Sequence, residues 1–227
     1  MLNELSFFCL FLTLITFRVG QILQAKWRSP LLNPILVAAI LTGAFLLLTG
    51  IDTGAYTSSL DKISWLMAPA TISLAIPMYE QFQVLRKHLK AIGVAVAVGS
   101  ATSLAFLALG SIALGVGKPL LISLLPKSVT TAIAVPLSQM SGGIPSVTTV
   151  AVAATGIMAN MMGPWLCKVF HITDPIAQGV ALGTSGHVIG TAKANEMDAL
   201  TGAVSSLSLV IAGILTAVCM PVMIQWV

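Results

Sequence analysis

Long apolar stretches alternate with short polar interruptions along this chain. Residues 29–51, 91–117, 128–167 and 199–227 contain no Asp, Glu, Lys or Arg. A membrane-spanning helix needs about 20 apolar residues, so the run 128–167 has room for more than one segment. Allowing roughly 28 residues per span and loop, the pattern predicts about eight membrane segments. They are Leu5–Gln24, Leu31–Gly50, Ile63–Tyr79, Ala91–Gly115, Pro119–Gln139, Ile144–Val169, Pro175–Ala194 and Leu200–Val227. Two are interrupted. Pro126 and Pro136 break the fifth, and Gly183, Gly186 and Gly190 break the seventh. Pro69 and Pro77 fall within the short third segment. The predicted fold is an all-α membrane protein with broken or re-entrant helices, a single polytopic domain over 1–227.

Composition agrees with the pattern. Apolar residues make up 57% and charged residues 8%, against about 45–50% and about 25% in soluble domains. No charge block suits nucleic acid. Cys9, Cys167 and Cys219 are scattered, without metal-ligand spacing, and are expected to be buried apolar thiols. No metal or cofactor is expected. Basic residues concentrate at Lys26 and Arg28 in the loop 25–29, and at Arg86, Lys87 and Lys90 in the loop 86–90. Basic loops lie in the cytoplasm, which leaves the N-terminus and the acidic loop 51–61 outside. Lys168 then lies outside if segment five crosses, and inside if it dips in and returns.

A faint repeat divides the chain into halves 1–118 and 119–227. Asn33-Pro34 opens segment two and Ile144-Pro145 opens segment six. About 35 residues further on, each half reaches an interrupted segment, Ala68-Pro69-Ala70-Thr71-Ile72-Ser73 and Leu182-Gly183-Thr184-Ser185-Gly186-His187. Paired interrupted segments point to a transporter's binding site.

Candidate chemistry gathers at the breaks. The stretch Pro126-Lys127-Ser128-Val129-Thr130-Thr131 places a cation and three hydroxyls where proline frees a backbone carbonyl. A half-helix opening there attracts an anion through its free N–H groups. Alternatively, Lys127 snorkels to the surface and the hydroxyls bond backbone. In segment seven, Thr184 and Ser185 accompany His187, the one histidine well inside an apolar stretch. An ionisable group at that depth is a functional candidate, and a neutral imidazole bonded across a helix interface is its bland counterpart. If transport is proton-coupled, His187 is the expected titrating group, because its reference pKa is about 6.5. Asn160 favours an interhelical hydrogen bond. Ser205, Ser206 and Ser208 favour close helix packing. Glu80 is expected to be solvated or paired with Arg86. Gly183-Thr184-Ser185-Gly186 has a hydrolase-like look, but His187 on the same helix points about 200° away from Ser185. No enzyme activity is expected.

At these segments the sequence resembles the LrgB/CidB family of bacterial membrane proteins. The matching residues are Leu31-Leu32-Asn33-Pro34, Pro126 to Thr131, Gly142-Gly143-Ile144-Pro145, Asp174-Pro175-Ile176-Ala177 and Gly202-Ala203 with Ser205-Ser206-Leu207. Ala132 stands where the family commonly has proline, and Ser185-Gly186 where it has Ala-Ser. The resemblance implies a multi-pass protein of the bacterial inner membrane, surrounded by lipid. It implies either of two activities. One is transport of a small organic anion, a monocarboxylate such as glycolate, glycerate, lactate or pyruvate. The other is holin-like modulation of murein hydrolases and autolysis with a small LrgA/CidA-like partner. A homodimer is expected. For the carrier, the substrate-binding set is Lys127, Ser128, Thr130, Thr131, Asn160, Thr184, Ser185 and His187.

Overall fold

The structure, a computed structural model, describes residues 4–27 and 32–225, apart from the side chains at 62–64, 67 and 68. Arg28, Leu31 and Val227, named above in a loop and at segment ends, lie outside the described residues. The described chain is helical throughout and forms two compact units, residues 1–73 and 74–227.

The first unit holds α1 (Glu4–Trp27), α2 (Pro34–Thr49), α3 (Thr53–Ser64) and α4 (Met67–Ser73). Asn33 starts α2 by accepting hydrogen bonds from the Ile35 and Leu36 amides, with Pro34 in the first turn. Gly50 stops it at φ 69°. Gly20 lets α1 lie against the Pro34 backbone. Thr16 and Thr42 share a buried hydroxyl bond of 3.0 Å across the pair. The stretch 51–61 is mostly helix rather than loop, because the Asp52 carboxylate accepts the Ala55 amide at 2.8 Å and starts α3.

The second unit holds α5 (Ala75–Glu80), α6 (Phe82–Ala113), α7 (Lys118–Leu124), α8 (Thr131–Met140), α9 (Pro145–Val169), α10 (Pro175–Met197) and α11 (Ala199–Ile224). Segment three is not one span. Its residues fall in α3, α4 and α5, and Pro69 and Pro77 each sit in the first turn of a short helix, where a missing N–H costs little. The basic cluster 86–90 is not a loop either. It forms part of α6, whose 32 residues extend about 48 Å and so outrun a hydrocarbon core of about 30 Å. Among the described residues, α1, α6, α9 and α11 are long and apolar enough to cross a membrane. Cys9 and Cys167 are buried, whereas Cys219 is exposed on α11.

Helix directions follow from contacts. Leu85, Ile92 and Val96 of α6 cluster with Ala203, Val204 and Ala212 of α11, and Leu104 with Met220. The two helices therefore run the same way, from the Arg86 end to the Lys118 end. The α10 segment reverses on itself. Gly179 meets Thr201 and Val204, and Gly183 meets Ser205 and Ser208, so its first limb runs parallel to α11. Gly202 meets Asn195, and Thr191 bonds Ser205 at 2.9 Å, so its second limb runs antiparallel. The reversal is at His187 itself (φ 43°, ψ −137°), and Gly190 lies back on the Leu182 carbonyl. The first limb, Pro175–Gly186, is about 18 Å long, about half the core thickness.

Segment five also dips in and returns. The Ile144 amide donates to Ser123 Oγ at 2.7 Å, so the end of α7 lies level with the start of α9. Lys127 and Ser128 follow at the turn and line one cavity with Thr155 of α9. From there α8 climbs back: Val129 and Ala134 pack on Val152, and Ser138 bonds Thr148 at 2.7 Å. Pro126 falls at this turn, but Pro136 sits inside α8 without breaking it. The two hairpins enter from opposite ends. Because segment five returns, Lys168 shares the Arg86 end. Ser205, Ser206 and Ser208 are fully buried where α11 packs.

Two expectations follow. In a chain lacking its native cysteines, Thr173→Cys and Glu196→Cys should react with an impermeant thiol reagent from the same side, and Lys118→Cys from the other. A single crossing by 175–197 would instead separate Thr173 from Glu196. Gly183→Ala should lower stability by about 1–3 kcal/mol, read as a lower melting temperature in detergent, because its Cβ meets Ser205 backbone. An unchanged melting temperature would deny the close α10–α11 approach.

Candidate functional site

Both hairpin tips reach the same level of α9, at Val152. From one side Val129 and Ala134 pack on its side chain. From the other, His187 Nε2 lies 3.0 Å from its carbonyl. A carbonyl only accepts, so Nε2 carries the hydrogen and donates it. His187 is 4% exposed, and Gly156 makes room for its ring: a Cβ there would meet Nε2 at 2.7 Å. Positive φ is uncommon for a residue with a side chain and persists where surroundings enforce it. Asn160 adds to that enforcement by donating from Nδ2 to the Ile189 carbonyl at 3.1 Å, just past the reversal.

Beside the tips lies a cavity of about 760 Å³. Lys127 and Ser128 come from one hairpin, Thr184 and Ser185 from the other. Thr155 of α9 and Ser103 of α6 complete its polar part. Met158, Met162, Leu166 and Val180 carry an apolar wall toward the Arg86 end. The opposite end is filled by Leu104, Leu121, Ile122 and Leu125.

Lys127 donates from Nζ to Ser128 Oγ at 3.2 Å. It makes no ion pair among the described residues, where the one found is Lys193–Glu196 at 2.8 Å. Glu80 is exposed and likewise makes none among them. Ser185 Oγ donates to the Ala181 carbonyl at 2.6 Å. Thr184 Oγ1 is buried without a hydrogen-bond partner. Of the residues singled out in the sequence, Lys127, Ser128, Thr184 and Ser185 thus share one cavity. Thr130, Thr131, Asn160 and His187 are not on its wall. Thr130 precedes the first turn of α8 without capping it through its side chain, and Thr131 is exposed.

The α6 wall escaped sequence reasoning. Ala95, Gly99 and Ser103 recur every four residues and put one small-residue stripe against the site. Gly99 brings that stripe within 3.4 Å of Thr184 Cγ2, measured from a Cβ built on it. That spacing was visible in the sequence, but an apolar run offers many such stripes.

The sequence model of the LrgB-like family matches residues 13–226. The uncharacterized protein YwbG of Bacillus subtilis (strain 168) is 36% identical over 217 residues, 96% of each chain. No solved structure matches significantly. A match over nearly the whole length, with a full-length relative at that identity, makes this multi-pass membrane protein a member of the LrgB-like family.

Proposed function

We propose that this chain carries small monocarboxylates of the glycolate, glycerate, lactate and pyruvate kind across a bacterial inner membrane by alternating access. The observation that carries this is Lys127. An ammonium at membrane depth is costly without a counter-charge, and among the described residues no carboxylate pairs with it. A bound carboxylate supplies the missing charge. Ser128, Thr184 and Ser185 offer hydroxyls to the acid's oxygens, and the methionines of α9 take its short carbon chain.

The opposed hairpins support alternating access. Hairpin 118–140 precedes α9 as hairpin 175–197 precedes α11, and the two enter from opposite ends. We read them as an inverted pair, both lying beyond the 118/119 division suggested by the sequence. The cavity extends toward the Arg86 end and is closed by apolar packing at the other. Rocking one unit against the other would reverse that.

His187 holds a tip in this reading: its ring nitrogen is spent on the Val152 carbonyl, and the residue is not on the cavity wall. Glutamine can donate the same hydrogen bond but cannot titrate. His187→Gln should therefore keep saturable exchange with unchanged pH dependence. Exchange that survives while accumulation driven by a pH gradient is lost would make His187 the proton carrier.

The deciding experiment is uptake of labelled glycolate, lactate and pyruvate into vesicles containing purified protein. Saturable uptake, competed by the unlabelled acids, is expected. Lys127→Gln should reduce it at least about tenfold, one missing charge-assisted contact being worth about 1.5–3 kcal/mol, with unaltered melting temperature. Nonselective leakage of unrelated solutes would favour the pore-forming lysis modulator instead.

A further inference from the structure

Below the large cavity lies a second, much smaller chamber. Its free volume is about 10 Å³, room for one water-sized sphere. Five hydroxyl-bearing residues line it: Ser100, Ser103, Ser128, Thr184 and Thr216. Ser100 is 7% exposed and Thr184 9%, and neither hydroxyl has a hydrogen-bond partner. Two orphaned hydroxyls facing one small space ask for an occupant. The chamber also touches the break after α7. Leu125 lines it, and the Leu125 carbonyl accepts none of the loop's backbone bonds, because Lys127 donates to Leu124 and Val129 to Pro126. A carbonyl at a half-helix C-terminus is a cation ligand in discontinuous membrane helices.

We propose that this chamber binds a dehydrated monovalent cation of sodium size. The donor set is oxygen only, which suits a hard cation. No carboxylate lines it, so little compensates a divalent charge. A water needs two to four polar partners; Ser128 Oγ already accepts from the Lys127 ammonium, and the four other hydroxyl-bearing residues together with Leu125 still approach the coordination of an ion. Ser103, Ser128 and Thr184 line both the chamber and the large cavity. A cation therefore sits beside the proposed carboxylate and strengthens its binding, and the carboxylate strengthens the cation's. That coupling rests on the carrier reading; the cation site itself does not, but the Lys127 ammonium one hydroxyl away keeps it weak until a carboxylate lies beside both cations.

Two measurements on the purified protein separate the possibilities. The first is its melting temperature in sodium, potassium or choline chloride at equal ionic strength, with and without glycolate. Sodium should raise it in a saturable way, because a ligand of the folded state stabilises it, and glycolate should enlarge the shift. Ser100→Ala and Thr216→Val should each raise the half-saturating sodium concentration at least tenfold; neither residue lines the carboxylate cavity. The second is glycolate uptake under an imposed sodium gradient or pH gradient. Sodium should drive accumulation in the native chain and fail in Ser100→Ala. Identical melting in all three salts, with and without glycolate, would overturn the proposal and leave a water in the chamber. A sodium shift without any glycolate effect or uptake would keep the cation site and overturn the carrier reading.

Discussion

Every backbone polar group at membrane depth must find a partner inside the protein, because hydrocarbon supplies none. Two hairpins that stop halfway raise that demand at their tips, where helical bonds end. The tip around Lys127 meets it partly with tight local bonds, from Lys127 to Leu124 and from Val129 to Pro126. The tip at His187 meets it partly with a side chain from α9, Asn160 donating to the Ile189 carbonyl, while the His187 ring anchors the tip on the Val152 carbonyl of α9. What these bonds leave over is polar and faces a cavity. The proposed site for a charged solute lies there, where irregular backbone is tolerated beside protein or a water-filled space.

Close packing makes the arrangement possible. Gly156, Gly163, Gly179 and Gly183 let α9, α10 and α11 approach until backbone meets side chain. Small residues at such crossings provide the contact that lipid cannot replace. They also leave room for a hairpin between α9 and α11. The hydroxyls of Thr191 and Ser205 then pair across the interface.

Much of this was legible in the sequence. Asn33-Pro34, Ile144-Pro145 and Asp174-Pro175 each open a helix in the structure, because proline fits a first turn and Asn or Asp caps it. Lys127, Ser128, Thr184 and Ser185 stood out because polar groups coincided with Pro126 and three glycines. Direction was not legible. A hydropathy run of 20 residues looks alike whether the chain crosses or returns halfway. The partners of Gly179 and Gly183, against those of Thr191 and Asn195, distinguish the two limbs of α10. Nor could the basic cluster 86–90 announce itself as helix: Arg and Lys are good helix formers, yet their charge reads as a loop beside an apolar run. The chamber at Ser100 and Thr216 depends on distant helices meeting, which no local pattern records.

The central claim is that the two tips form one anion site around Lys127. It is tested most directly by protection of a single cysteine on the cavity wall. In a chain without native cysteines, Ala181→Cys lies on the cavity wall, one helical turn before Ser185, and is solvent-exposed. Its alkylation by a small maleimide should slow severalfold as glycolate, lactate or pyruvate saturates the site. The protection should vanish when Lys127→Gln is added. Alkylation that proceeds at the same rate at every acid concentration, in protein that still melts cooperatively, would contradict the account.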